Sequence, residues 1–242
     1  MLVMGASTGI GRTIGHHLCR EGAHVAFAAR RGELCEEAAK EAGGTTVGIA
    51  CDVTDPARCE QVVDETVDRL GGLDDLVYAT GLISLVALAD ADAGWWRRTF
   101  ETNVMGASLV TRACLPHLER AGGTAVYLSS VSSYTGPWPG LGVYTSTKAA
   151  LNRMIDTWRV EHPHLGFARV GVGPTAGGAN TAEYDPGVAT HRARWADLGL
   201  VSGAQADPMS IARAVALILS EPGRVWDITV QPRDGALPWS AT

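Results

Sequence analysis

Gly5-Ala-Ser-Thr-Gly9-Ile-Gly11 follows a short apolar run, Leu2 to Met4, and precedes an amphipathic stretch that reaches about Glu21 and closes at Gly22. Strand, glycine-rich loop and helix in that order predict more than a turn. Glycines let the backbone bend tightly and approach a pyrophosphate. The helix behind aims its unpaired N–H groups and positive dipole end at that charge. After the first strand of an alternating α/β chain, such a loop reads as a phosphate cradle.

The rest of the chain has that alternation. His24 to Ala29, Thr46 to Ala50, Leu76 to Ala79, Thr124 to Leu128, Phe167 to Val172 and Asp227 to Val230 are short runs with strand character. Between them lie Glu33 to Ala42, a helix opened by Asp55-Pro56, a long stretch from Ala93 to Arg120 ending at Gly122-Gly123, and a helix from Val143 to Glu161. Asp207-Pro208 opens a last helix to Ser220. Aspartate before proline is a cap followed by the residue that loses nothing at the first helical position. Pro116 is expected to kink the long helix or end it early. The pattern predicts one α/β domain over 1–242, a doubly wound parallel sheet of about seven strands with helices on both faces. Residues 173–205 are the longest stretch without clear periodicity and read as a lid within it. Leu2 to Met4 is short for a first strand, as expected if the start lacks a few residues.

Composition excludes several functions. A net charge of -6 argues against nucleic acid, whose binders carry a basic face. No apolar run approaches the roughly 20 residues of a membrane helix, and no charged and hydrophobic leader precedes Leu2, so a cytoplasmic protein is expected. Cys19, Cys35, Cys51, Cys59 and Cys114 are odd in number and include no Cys-x-x-Cys pair. They predict free thiols and no metal site.

Tyr144-Thr-Ser-Thr-Lys148 lies at the start of the helix after the fifth strand. Residues i and i+4 share a helix face, so a phenol and an ammonium can enter one cleft. A phenol with a pKa of about 10 is a poor acid/base at neutral pH, and a nearby cation lowers that value. Leu128-Ser129-Ser130 ends the preceding strand, fourteen residues before Tyr144.

With these residues the chain resembles the short-chain dehydrogenase/reductase family, from Gly5 to about Gln231, including its Gly-x-x-x-Gly-x-Gly loop spacing. The resemblance implies a Rossmann-like fold and hydride transfer between a nicotinamide and a carbonyl or alcohol. It implies Tyr144 as the acid/base, Lys148 as the cation that lowers the tyrosine pKa and holds the nicotinamide ribose, and Ser130 as a hydrogen-bond donor to the substrate oxygen. The gap from Ser130 to Tyr144 is one residue longer than the family's, so Ser129 and Ser132 stand as alternatives and 131–142 is expected to hold the insertion. Asn103, in Thr-Asn-Val-Met-Gly, matches an asparagine that helps a water relay behind the lysine; otherwise it packs inside its helix.

The cofactor is expected on Gly5, Ser7, Thr8, Gly9, Ile10, Gly11, Asp52, Val53, Thr80, Gly81, Tyr144, Lys148, Pro174 and Thr175. An NAD site needs an acid after the second strand to accept from the ribose hydroxyls. Ala29 stands there, followed by Arg30 and Arg31, planar donors suited to a 2′-phosphate, which predicts NADP(H). Asp52 either meets the adenine amino group or caps a turn. Tyr78-Ala79-Thr80-Gly81 replaces the family's Asn-Asn-Ala-Gly, so the central sheet must be tied by something other than an asparagine. Pro174-Thr175 replaces Pro-Gly, and Gln231-Pro232-Arg233 replaces the usual Asp-Gly-Gly close.

Tyr134 and Trp138 before Tyr144, with Tyr184, His191, Arg192, Arg194 and Trp195 in the lid, suit an apolar or aromatic ketone or aldehyde, or else pack lid to core or subunit to subunit. Arg192 and Arg194 read as solvated, and Trp95-Trp96 as packing. The resemblance implies a homodimer or homotetramer, with no nucleic acid or membrane partner. The competing function is a regulatory protein that binds NADP(H) without turnover. A sensor, however, needs none of Ser130, Tyr144 and Lys148.

Overall fold

Strands wind outward from β1 in both directions, and that path places the site. The computed structural model describes residues 1–177, 188–201 and 204–233, with backbone alone at 188–190 and 192. Seven parallel strands form one sheet: β1 (Leu2–Met4), β2 (Val25–Ala29), β3 (Thr46–Ala50), β4 (Leu76–Tyr78), β5 (Thr124–Ser130), β6 (Gly166–Val172) and β7 (Asp227–Val230). Their order is β3-β2-β1-β4-β5-β6-β7. The chain leaves β1 on one side, returns to β4 on the other, and opens a crevice beyond the carboxyl ends of those two strands. Leu2 is level with Ala26 on one neighbour and Leu76 on the other. This is the Rossmann-like parallel architecture that the alternation predicts.

Helices cover both faces: α1 (Gly9–Arg20), α2 (Gly32–Ala42), α3 (Pro56–Leu70), α4 (Ala93–Phe100), α5 (Gly106–Ala121), α6 (Gly142–Glu161), α7 (Val188–Asp197) and α8 (Pro208–Ser220). Side chains alternate along each strand, so every interior strand feeds two cores. Leu2, Met4, Tyr78 and Tyr127 join Val62, Cys114, Leu118 and Leu151 beneath α3, α5 and α6. Val3, Val77, Val126 and Leu128 join Ile14, Leu18, Ala38 and Val215 beneath α1, α2 and α8. Burial on both faces is why these strands read as continuous apolar runs. Asp55 and Asp207 cap α3 and α8 as their sequences predict, each accepting a backbone N–H at 2.9 Å. The five cysteines are free thiols. Among the described residues no helix is long and apolar enough to cross a membrane.

Two expectations are corrected. Pro116 does not end the long helix early: α5 runs through it to Ala121. The irregularity lies earlier, where Glu101–Met105 form a wide π-helical turn between α4 and α5, and Gly106 N–H reaches back five residues to Glu101 O. Part of 173–205 is also regular, since α7 lies within it.

The tie that replaces the missing asparagine is tyrosine. Tyr78 Oη donates to Thr102 O at 2.8 Å, in the wide turn, and Tyr127 Oη pairs with Thr111 Oγ1 at 2.7 Å. Both rings are fully buried and tilt together at 6.4 Å. They pin the two central strands to the long helix. Tyr78→Phe should leave the Thr102 carbonyl without its partner and destabilise the fold by about 1–2 kcal/mol. Thermal unfolding should register a drop of roughly 2–6 °C in midpoint.

Candidate active site

The loop from Gly5 to Gly11 is shaped to receive a group from outside. Gly5 (φ +80°) and Gly9 (φ +59°) adopt left-handed backbone that a larger residue would strain. A Cβ on Gly5 would meet Thr80 N at 2.7 Å, and one on Gly9 would meet Gly177 O at 2.7 Å. The loop is therefore enclosed by the turn after β4 and by the segment after β6. Thr8 precedes α1 without a side-chain capping bond, and the first turn has no acid. Backbone donors at that end are left for an anion.

Arg31 reaches back over this loop. Its Nη2 lies 2.9 Å from Thr8 Oγ1 and 3.4 Å from Ser7 Oγ. One guanidinium, two hydroxyls and a helix N-terminus so converge beside the carboxyl end of β2. The residues present fit the pyrophosphate of a dinucleotide, with Ile10 in the first turn of α1 behind the loop. Arg30 is exposed. Asp52 accepts from Thr54 N and Oγ1 at 2.9 and 2.8 Å, the turn-capping role. Val53 is buried against Gly106. Pro174 O accepts from Ala206 N at 2.8 Å and Thr175 Oγ1 donates to Gly173 O at 2.9 Å, which pins the chain leading to Gly177.

Opposite the cradle, α6 begins at Gly142 and presents Tyr144 and Lys148 on one face. Lys148 is almost fully buried, and its Nζ donates to Leu128 O at 2.8 Å. That ammonium lies 5.9 Å from the centre of the Tyr144 ring. Burial holds the lysine down at about 8. Burial also pushes the Tyr144 phenol up to about 12, against the opposing pull of the Ser130 hydroxyl, which corrects the expectation that Lys148 lowers it. Gly81 leaves room here: a Cβ on it would lie 3.4 Å from Lys148 Nζ and 3.8 Å from Asn103 Oδ1.

Strand alternation separates the serines. Ser129 Oγ points away and donates to Asn152 Oδ1 at 2.6 Å. Ser130 is on Tyr144's side, and its Oγ pairs with Ser132 Oγ at 2.9 Å. Ser132 is the more deeply buried of the two. Asn103 is fully buried in the wide turn. Its Oδ1 accepts from Leu82 N at 2.7 Å, while Nδ2 donates to Leu82 O at 3.0 Å and Thr147 Oγ1 at 2.9 Å. Its side chain ties the turn after β4 to α6. Thr147 fills an unassigned position of the Tyr-x-x-x-Lys stretch and Asn152 belongs to no motif that the sequence singles out, although both lie on α6 within four residues of Lys148.

An apolar wall stands next to Tyr144. Leu85, Trp138, Leu141 and Trp195 form it, with Ile83, Tyr144, Leu200 and Val201 packed against it. Trp138 and Trp195 meet edge to face at 5.4 Å, and Trp195 Nε1 donates to Pro139 O at 2.8 Å. His191 lies on Trp195 at 5.9 Å and over Gly140. Tyr134 does not join them, because its hydroxyl pairs with Thr229 Oγ1 of β7 at 2.9 Å. Arg194 is exposed on α7. Tyr184 and the Arg192 side chain lie outside the described residues.

A buried ammonium paired with a neutral carbonyl costs stability. Lys148→Met should therefore raise the unfolding midpoint near neutral pH by a few degrees, about 1 kcal/mol net of the lost bond to Leu128. With a folded pKa near 8 against an unfolded 10.5, the unfolded chain binds more protons between those values, so the wild type gains stability as pH rises. The advantage of the variant should shrink across that window in thermal melts.

The profile of the short chain dehydrogenase family matches residues 1–183. The chain is 35% identical over 176 residues to 11-beta-hydroxysteroid dehydrogenase A of Sesamum indicum, an alignment covering 70% of this chain and 50% of that one. It is 32% identical over 239 residues to glycine betaine reductase ATRR of Emericella nidulans, covering 96% of this chain and 18% of that one. It thus spans half the length of the first relative and under a fifth of the second. The alcohol dehydrogenase of Thermococcus sibiricus complexed with 5-hydroxy-NADP superposes with a TM-score of 0.81 at 26% identity, over 98% of this chain and 97% of that one. A short-chain type dehydrogenase/reductase from Mycobacterium marinum gives 0.81 at 28% identity, over 95% and 92%. A glycine cradle facing a Tyr-x-x-x-Lys helix, in a chain with these relatives, places the protein in the short-chain dehydrogenase family of nicotinamide-dependent oxidoreductases.

Proposed function

We propose that the chain is an NADP(H)-dependent oxidoreductase that reduces an apolar or aromatic ketone or aldehyde, with Tyr144 as proton donor. One observation carries this reading: the Tyr144 phenol meets the Ser130 hydroxyl, and its ring lies 5.9 Å from the Lys148 ammonium and packs against an apolar wall. The bound cofactor supplies or accepts hydride at its nicotinamide. The chain's own groups manage the oxygen. The phenol, held above its ordinary range by burial, carries at neutral pH the proton that a carbonyl oxygen would receive. Ser130 Oγ donates to the same oxygen and stabilises charge that develops there. Lys148 stabilises the phenolate left behind and, from beside Gly81, holds the nicotinamide ribose. The Trp138–Trp195 wall receives the apolar part of the substrate and excludes water.

The choice of NADP(H) rests on Arg31 over Ser7 and Thr8, together with the absence of an acid at Ala29. The Thermococcus sibiricus alcohol dehydrogenase, in complex with 5-hydroxy-NADP, supports the same choice. Exposed Met105 in the wide turn and Val160 on α6 support pairing of subunits through the long helix and α6.

Screening ketones and aldehydes for oxidation of NADPH tests the activity directly. Tyr144→Phe should then lower kcat by at least about 10³-fold and leave NADPH affinity, read by fluorescence, within roughly threefold. Turnover surviving that change removes Tyr144 from the role. Arg31→Ala should raise KM for NADPH about tenfold or more and leave KM for NADH nearly unchanged. Equal effects on both cofactors, or a wild type that prefers NADH, would overturn the assignment.

A further inference from the structure

We infer that Asn152 is a positioning residue: it sets Ser130 against Tyr144 by bridging the two residues that flank the Ser130–Ser132 turn. The inference rests on the reading of Ser130 as a donor to the substrate oxygen. Asn152 lies four residues after Lys148 and eight after Tyr144, on the same face of α6. Its Oδ1 accepts from Ser129 Oγ at 2.6 Å, and its Nδ2 donates to Ser133 Oγ at 2.9 Å. Ser133 Oγ in turn donates to the carbonyl of Ser130 at 2.6 Å. One amide thus grips the strand before Ser130 and, through one hydroxyl, the peptide that leaves it.

The grip works with others from the same helix. Lys148 holds Leu128 O, and Thr145 Oγ1 donates to Ser132 Oγ at 3.5 Å. Leu128, Ser129, Ser130 and Ser132 are therefore each referred to α6, directly or through one hydroxyl. α6 is also the element that carries the phenol. Asn152 itself is fixed from behind, where Arg169 Nη1 reaches its carbonyl at 3.4 Å while pairing with Asp156 at 3.2 Å. The gap from Ser130 to Tyr144 is one residue longer than the family spacing, with the extra residue expected within 131–142. A serine at the mouth of a longer loop needs an anchor that does not depend on the loop. Two oxygens that must reach one substrate atom are held from one helix, and an error of about 1 Å in such a pair costs on the order of 100-fold in rate.

The test uses Asn152→Ala, Ser133→Ala and the double variant of the full chain. Asn152→Ala should lower kcat about 10- to 100-fold, with NADPH affinity and KM within about twofold. Ser133→Ala should reproduce much of that loss, and the double variant should be no worse than Asn152→Ala, because both act through one link. A kcat within about twofold of wild type, or losses that multiply, would sink the inference, since general loosening of the fold multiplies. Hydrogen exchange supplies a readout independent of turnover. Amides of 131–135 should exchange at least about tenfold faster in Asn152→Ala, with the rest of β5 unchanged. Unaltered protection there overturns the positioning role even if the wild type reduces no ketone, an outcome that would separately overturn the proposed activity.

Discussion

The hydrogen bond from Lys148 Nζ to the Leu128 carbonyl is the contact on which the site depends, because it joins the helix of the phenol to the strand of the serine. It is an expensive joint. A cation taken out of water faces a neutral oxygen and an aromatic edge, with no carboxylate paired to it among the described residues. Such a group is tolerable in a fold with stability to spare elsewhere, here in two apolar layers pressed on a sheet buried from both sides. Burial makes the lysine useful as well as costly. It fixes the ammonium 5.9 Å from the centre of the Tyr144 ring, at the joint between α6 and β5.

Topology explains why so few residues suffice. All strands are parallel, so all their carboxyl ends lie at one rim, and the reversal between β1 and β4 opens a crevice there. The glycine loop, Arg31, Gly81, Ser130 and Thr175 each follow or end a different strand, yet meet at that rim. Helices contribute the remainder. α1 brings its positive end and α6 its Tyr/Lys face.

Much of this is legible in the sequence, and for physical reasons. Strands buried on both faces announce themselves as apolar runs. Asp55-Pro56 and Asp207-Pro208 mark helix starts because few other pairs satisfy both cap and first turn. The spacing of Tyr144 and Lys148 is that of one helix face. What is not legible depends on orientation or on partners distant in the chain. Choosing Ser130 over Ser129 requires knowing which face of β5 looks toward Tyr144, and the serines are chemically identical. The hold of Tyr134 on Thr229 spans 95 residues. α7 escapes a reading of the sequence because Val188–Asp197 has too few apolar positions to mark a stripe. Pro116 does not end the helix because a missing N–H is only a local loss, whereas the irregularity at Glu101–Met105 changes helical pitch without any breaker residue.

That wide turn also acts as a phase shifter. A π-helical turn carries one residue more than regular α-helix, and one residue is about 100° of rotation. Before it, Thr99 is buried while Arg97 and Arg98 face outward; within it, Asn103 faces the site; after it, Ala107 and Val110 face the core. On an evenly wound helix Thr99, Asn103, Ala107 and Val110 would share one stripe about 80° wide; the wide turn instead sets the segments before and after it at different phases. Removing one residue here would give a tidier helix and the wrong molecule: with α5 held by its core contacts, α4 would turn by about a quarter of a revolution, bringing its arginines round toward the protein and Thr99 toward water. The extra residue is thus a gear tooth, and natural length variants of this chain should be scarcer between 101 and 105 than in any surface loop.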